Sequence, residues 1–156
     1  MERHIADFHL DDEGDWVAEL DCGHHQHVRH NPPFFERPWA VTSEGRASMI
    51  GAPLSCILCD RMELPDQFVL HHHSPLFDQD TVPPALLKAH QLKSGVWARI
   101  HVMEGSLRYC IDSPSPQTIL VDPEHPGVVV PDVPHHVEPI GKVQFFLALY
   151  SSAPAG

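Results

Sequence analysis

Thiols and imidazoles arrive as two short pairs within the first sixty residues, Cys22-Gly23-His24 and then Cys56-Ile57-Leu58-Cys59. A tetrahedral zinc ion takes four such donors, and a pair held by one tight turn supplies two corners at once. His27 and His30 extend the first pair, so more imidazoles stand there than one closed site can use. Cys22, His24, Cys56 and Cys59 are the expected ligands. His27 or His30 is the alternative to His24, because alternate strand positions turn different rings to one face. A closed Cys/His tetrahedron is structural, and hydrolytic chemistry would need an open position holding water.

The other reactive residues are scattered. Cys110, in the strand-like run Ser106-Leu107-Arg108-Tyr109-Cys110-Ile111, reads as a buried structural thiol. Adjacent strand residues point to opposite faces, so His71-His72-His73 cannot readily share one ion and reads as a strand end. His125, between Glu124 and Pro126, reads as an exposed turn. The strand Trp97-Ala98-Arg99-Ile100-His101-Val102-Met103 sets Trp97, Arg99, His101 and Met103 on one face. If that face points inward, Arg99, His101 and Trp97 form a pocket for an oxyanion or carboxylate through charge-assisted hydrogen bonds. If it points outward, Val96, Ala98, Ile100 and Val102 are core and Arg99 is a solvated charge.

These residues must be positioned by short elements. The 156-residue chain holds sixteen prolines and nine glycines, which favour strands and turns over long helices. Alternation over 4–10 and 15–20 predicts a hairpin turning at Asp11-Asp12-Glu13-Gly14, with a third strand over 26–30. Thr42 is an N-cap candidate for a short helix ended by Gly51. So small a region, poor in large apolar residues, would draw much of its stability from metal. The polar stretch 60–67 sets a boundary, giving a small Cys/His domain over 1–64 and a second domain over 65–156. There, strands are expected at 68–73, 95–103, 106–112, 117–121, 127–130, 134–139 and 143–150, with a helical turn at 84–89, the spacing of an all-β sandwich or barrel. Met103, Phe145 and Phe146 are expected in its core.

The net charge of −11 disfavours nucleic acid and anionic membranes as partners. No apolar run is long enough to span a bilayer, and the start lacks a secretory signal, so a cytoplasmic location is expected. In that compartment four cysteines read as ligands and a core thiol rather than disulfides. Barrel edge strands make a homodimer plausible.

Two resemblances sharpen this. The segment Gly14-Asp15-Trp16-Val17-Ala18-Glu19-Leu20, with Cys22-Gly23-His24, Gln26-His27-Val28-Arg29-His30, Pro32-Pro33, Arg37-Pro38-Trp39 and the Cys56/Cys59 pair, resembles a small bacterial family of uncharacterised function, over roughly residues 1–64. Thr81-Val82-Pro83, Leu86-Leu87, His90, Lys93-Ser94-Gly95-Val96-Trp97, Val102-Met103-Glu104-Gly105-Ser106-Leu107 and Pro134-His135-His136-Val137-Glu138 resemble the TehB-like domain of tellurite-resistance proteins, over about 68–151. That resemblance implies a mainly β fold ending in a cupin-like β-barrel (jelly roll). In some relatives this domain precedes a methyltransferase, but the sequence carries no glycine-rich nucleotide loop, and methyl transfer is not expected of it.

Ordinary cupins hold a divalent metal with two histidines and a glutamate in one motif and a histidine in another. By that likeness His90 and His135 are the implied pair for zinc or iron, with Glu138 and His101 as further ligands, while Ala98 stands in the glutamate slot. The leading expectation is a zinc-stabilised module fused to a barrel that binds a metal and a small anionic molecule in a tellurite or oxidising-stress response. A metal-dependent dioxygenase or isomerase using His90, His135 and Glu138 on iron(II), or a zinc-stabilised adaptor, are the alternatives.

Overall fold

The computed structural model describes residues 1–34 and 36–152. The chain divides into two compact units, Met1–Arg61 and Met62–Gly156, each built on its own antiparallel sheet.

In the first unit β1 (Glu2–Leu10) pairs with β2 (Trp16–Leu20) across the expected hairpin. Asp11 makes that turn by accepting the backbone N–H groups of Glu13 and Asp15, both at 2.9 Å. β2 then pairs with β3 (His25–His27), shorter than the expected third strand, and β1 pairs on its other side with β4 (Pro53–Ser55), which the sequence reading missed. The sheet order is therefore β3-β2-β1-β4. α1 (Ser43–Ser48) begins as expected, with the Thr42 hydroxyl accepting the Gly45 N–H at 3.0 Å. A single helical turn, α2 (Ile57–Asp60), follows β4. Ile5, Val17, Ala18, Leu20, Val28 and Ala40 make a core of small and medium side chains. The Arg46 guanidinium covers the Trp16 ring at 3.5 Å.

The second unit is mainly β, a curled sheet ordered β5 (Phe68–His73), β10 (His135–Ser152), β7 (Trp97–Ile111) and β8 (Gln117–Val121). β6 (Phe77–Asp78) adds to β10 and β9 (Gly127–Val129) to β7. The run at 84–89 gives only a 3-10 turn, Pro84–Leu87. β7 and β10 replace four of the shorter strands expected and run antiparallel from His135 opposite Ile111 to Tyr150 opposite Trp97.

Their pairing is irregular between Ile140 and Phe145, and there β7 changes the face it buries. Ala98, Ile100 and Val102 point into the core before this irregularity, and Leu107 and Tyr109 after it. A strand keeps one parity along each face, so a change from even to odd numbers requires an extra residue in the ladder. Gly105 sits at the switch with φ +81°, and a Cβ there would overlap the Lys142 carbonyl oxygen. Val121, Val129, Val137, Val143 and Phe145 complete the cluster.

Of the two readings of this strand the outward one holds, while the expectation that Met103 is core fails. Arg99, His101 and Met103 share the outward face, opposite the Ala98, Ile100 and Val102 side chains. The inward pocket of Trp97, Arg99 and His101 therefore does not form, and Met103 is exposed rather than core. Trp97 is fully buried on its own side, while the Arg99 guanidinium lies 5.3 Å from the Tyr150 ring centre.

Candidate metal centre

Topology brings the two ligand pairs to one end of β1. Because β1 is antiparallel to both neighbours, Leu20 at the end of β2 faces Ile5, and Ser55 at the end of β4 faces Glu2. The turn after β2 is closed by the Leu20 N–H on the His24 carbonyl and the Gly23 N–H on the Leu20 carbonyl, both at 2.9 Å. Gly23 has φ +98°, a left-handed conformation that glycine adopts without the cost of a Cβ. This turn carries Cys22 and His24. Cys56 precedes the first residue of α2 and Cys59 lies within it, so one helical turn carries the other pair.

All four side chains are buried, and their donor atoms lie within 4.8 Å of one another. His24 Nδ1 is 3.4 Å from Cys22 Sγ, 3.3 Å from Cys56 Sγ and 3.5 Å from Cys59 Sγ, and the Cys22 and Cys56 sulfurs are 3.9 Å apart. An ion bonded to sulfur at about 2.3 Å and to nitrogen at about 2.0 to 2.1 Å, at tetrahedral angles, separates its donors by about 3.6 to 3.8 Å. The four atoms thus stand near the corners of such a coordination shell, while the cysteines are unbridged thiols. A buried Cys3His site that could hold zinc results. His27 and His30 lie outside it. His27 Nε2 pairs with Asp11 at 2.8 Å, and His30 Nδ1 accepts the Arg37 N–H at 3.0 Å.

The surroundings suit bound anionic sulfur. Hydrogen bonds from Cys22 and His24, and the charge and N–H of Arg3, hold Cys59 down at about 4. The bond shared with Cys59, and then burial, push Cys22 up, while burial raises Cys56. Arg3 is 3% exposed, unusual for an arginine and missed by the sequence reading. Three thiolates around a divalent ion leave one net negative charge, which a buried guanidinium offsets.

In the second unit, β10 begins with its backbone bonded to His90: the His90 N–H reaches the His135 carbonyl at 2.8 Å, and the reverse bond is 2.7 Å. The two rings meet edge-on with centroids 5.5 Å apart, so the expected pair is adjacent. His135 Nδ1 donates to the Val133 carbonyl at 2.9 Å and burial lowers its pKa, leaving a neutral ring with its Nε2 lone pair intact. The expected third ligand is elsewhere. Glu138, an odd number of strand positions from His135, lies on the exposed face of β10 while His135 is buried. Ala98 supplies no donor and His101 faces outward. Only the two imidazoles remain of the expected set, and they do not make a three-ligand metal centre in the second unit.

Residues 63–147, over half of the chain, match the TehB-like domain. The chain belongs to the TehB-like domain family. Residues 6–63 match the protein of unknown function DUF3565, so the TehB-like domain here follows that module. Among solved structures, the chain is similar to a protein from E. coli strain K12 at 23% identity and TM-score 0.54, covering 58% of this chain and 97% of that one. It is also similar to TehB from Haemophilus influenzae at 23% identity and TM-score 0.51, covering 56% of this chain and 32% of that one. At these identities the likeness concerns the fold alone. The curated proteins contain no match. No helix among the described residues is long and apolar enough to cross a membrane.

Proposed function

We propose that the protein is a zinc-stabilised, tellurite-resistance-related binding protein. Its Cys22, His24, Cys56 and Cys59 centre is closed and structural, and its TehB-like domain, a cupin-like barrel (jelly roll), binds a small anionic molecule. The observation that carries the zinc reading is the convergence of four buried donors at the spacing of one coordination shell. When bound, the ion would act as a cross-link between the turn after β2 and α2, and this chain's residues contribute the shell and the Arg3 counter-charge.

For the anionic ligand, support comes from a cleft of about 520 Å³ on the outer face of the second unit. Leu70, Leu76 and Phe146 contribute apolar lining, with His73, His101 and Tyr150 beside them. His101 stacks on Phe146 with centroids 5.0 Å apart, and Arg99, its guanidinium 5.3 Å from the Tyr150 ring centre, offers a cation to a carboxylate or oxyanion. Its size lies within the range of small-molecule sites.

The test has two arms on the full chain. Metal analysis of untagged protein should find zinc, lost in Cys59→Ser together with the near-ultraviolet signal of Trp16 and Trp39; zinc retained by that variant would reject the ligand set. Calorimetric titration with tellurite and with short carboxylates should give binding that Arg99→Ala weakens about tenfold or more. No heat from either probe would reject the anion reading and leave the zinc reading to its own test.

A further inference from the structure

The same odd and even alternation that removes Glu138 from the barrel interior gathers a different set outside it. His136 on β10 stands directly opposite Cys110 on β7, and Glu138 opposite Arg108. The neighbours His135, Val137 and Tyr109 are buried in the barrel, so Cys110, His136 and Glu138 share the other face. Their donor atoms all lie within 4.8 Å of one another. His136 Nδ1 is 2.8 Å from Asp112 Oδ1, and its Nε2 is 3.5 Å from Glu138 Oε1.

We propose that Cys110, His136 and Glu138 form a second divalent-metal site, of the zinc class, on the outer face of the β7/β10 ladder, with Asp112 as its positioning residue. Thiolate, imidazole and carboxylate together are the donors of a borderline ion such as zinc. A carboxylate that takes the far ring N–H fixes the tautomer and turns the remaining lone pair toward the metal, the role open to Asp112. One Asp112 oxygen already holds His136, while its buried Oδ2 has no hydrogen-bond partner.

Charge supports the same assignment. Asp112, Glu138 and a Cys110 thiolate carry three negative charges, and Arg108, 3.9 Å from Glu138, carries one positive charge. A divalent ion balances the remainder. The Arg108 ion pair with Glu138 is the contact the metal displaces. The exposed ion pair is a weak one, because water screens it. Three protein donors leave the remaining position to solvent, unlike the closed shell of the first unit.

The site is tested on the full chain with its first site filled by zinc. Cobalt(II) is then added and followed by absorption. A thiolate-to-cobalt charge-transfer band should grow to one equivalent and vanish in Cys110→Ser, while zinc equilibrium dialysis should count two ions in the unaltered chain and one in His136→Asn. Asp112→Asn should keep the second ion but weaken it about 10- to 100-fold. His135→Asn, altered on the buried face, should still bind two and so separates loss of the site from loss of the strand. A single zinc equivalent with no cobalt band, or a second ion that persists in both Cys110→Ser and His136→Asn, would overturn the proposal.

Discussion

Arg3 separates a residue's appearance in the sequence from its duty in the fold. Between Glu2 and His4 it looks like one of three solvated side chains, yet it is buried against Cys59 while both neighbours are exposed. Its charge and N–H stabilise sulfur as thiolate, and a metal site keeps that demand for as long as the ion is bound. Arg3→Gln should leave the four donors in place and still raise the zinc dissociation constant about 10- to 100-fold, read by competition with a chromophoric chelator. An unchanged constant would make Arg3 a packing residue. The ligands themselves were legible because Cys22, His24, Cys56 and Cys59 come in pairs whose spacing is their signal. Arg3 has no such signal, since only burial distinguishes it.

At the level of strands, β7 sets the limit on what alternation can tell. The pattern from Trp97 to Met103 was read correctly as two faces, but which face is core could not be chosen, because both hold apolar residues. The switch at Gly105 then exchanges the buried parity, so the half of β7 beyond it cannot be extrapolated from the half before. Gly105→Ala would add a Cβ against the Lys142 carbonyl at a left-handed φ, a loss of at least about 2 kcal/mol. Denaturant unfolding followed through the buried Trp97 measures it, and a loss well under that value would mean that the ladder relaxes there at little cost. The Cys110, His136 and Glu138 cluster was hidden for a related reason. Its members are far apart along the chain and meet only through the register of β10 on β7.

For the chain as a whole, the two units rest on different sources of stability. The second has a contiguous cluster of large apolar side chains, including Phe145, Tyr109 and Ile100, whereas the first surrounds its four donors with fewer and smaller ones. Chelator added to the full chain should therefore abolish one thermal transition, that of the first unit, and leave a cooperative transition for the TehB-like domain. Calorimetric scans with and without the chelator check this, and a first unit that still melts cooperatively without metal would show that its apolar core suffices. The scarcity of large apolar residues in the first sixty positions was legible in composition and patterning, as was the mainly β character. The second unit's chemistry was not, because family likeness placed Glu138 beside His135 while strand geometry turns it away.

The doublet His135-His136 shows what a wall made of one strand can do. Its two rings are chemically identical and borne by adjacent residues, yet one is 5% exposed in the core of the second unit and the other meets the solvent side with Asp112. β10 is thus a partition with a handle on each side, and duplication here is division of labour rather than redundancy. Either handle can be exchanged while its twin stays in place. Inserting one residue between Pro134 and Val143 would do what no substitution can, rotating the wall so that Glu138 turned inward and Val137 met water.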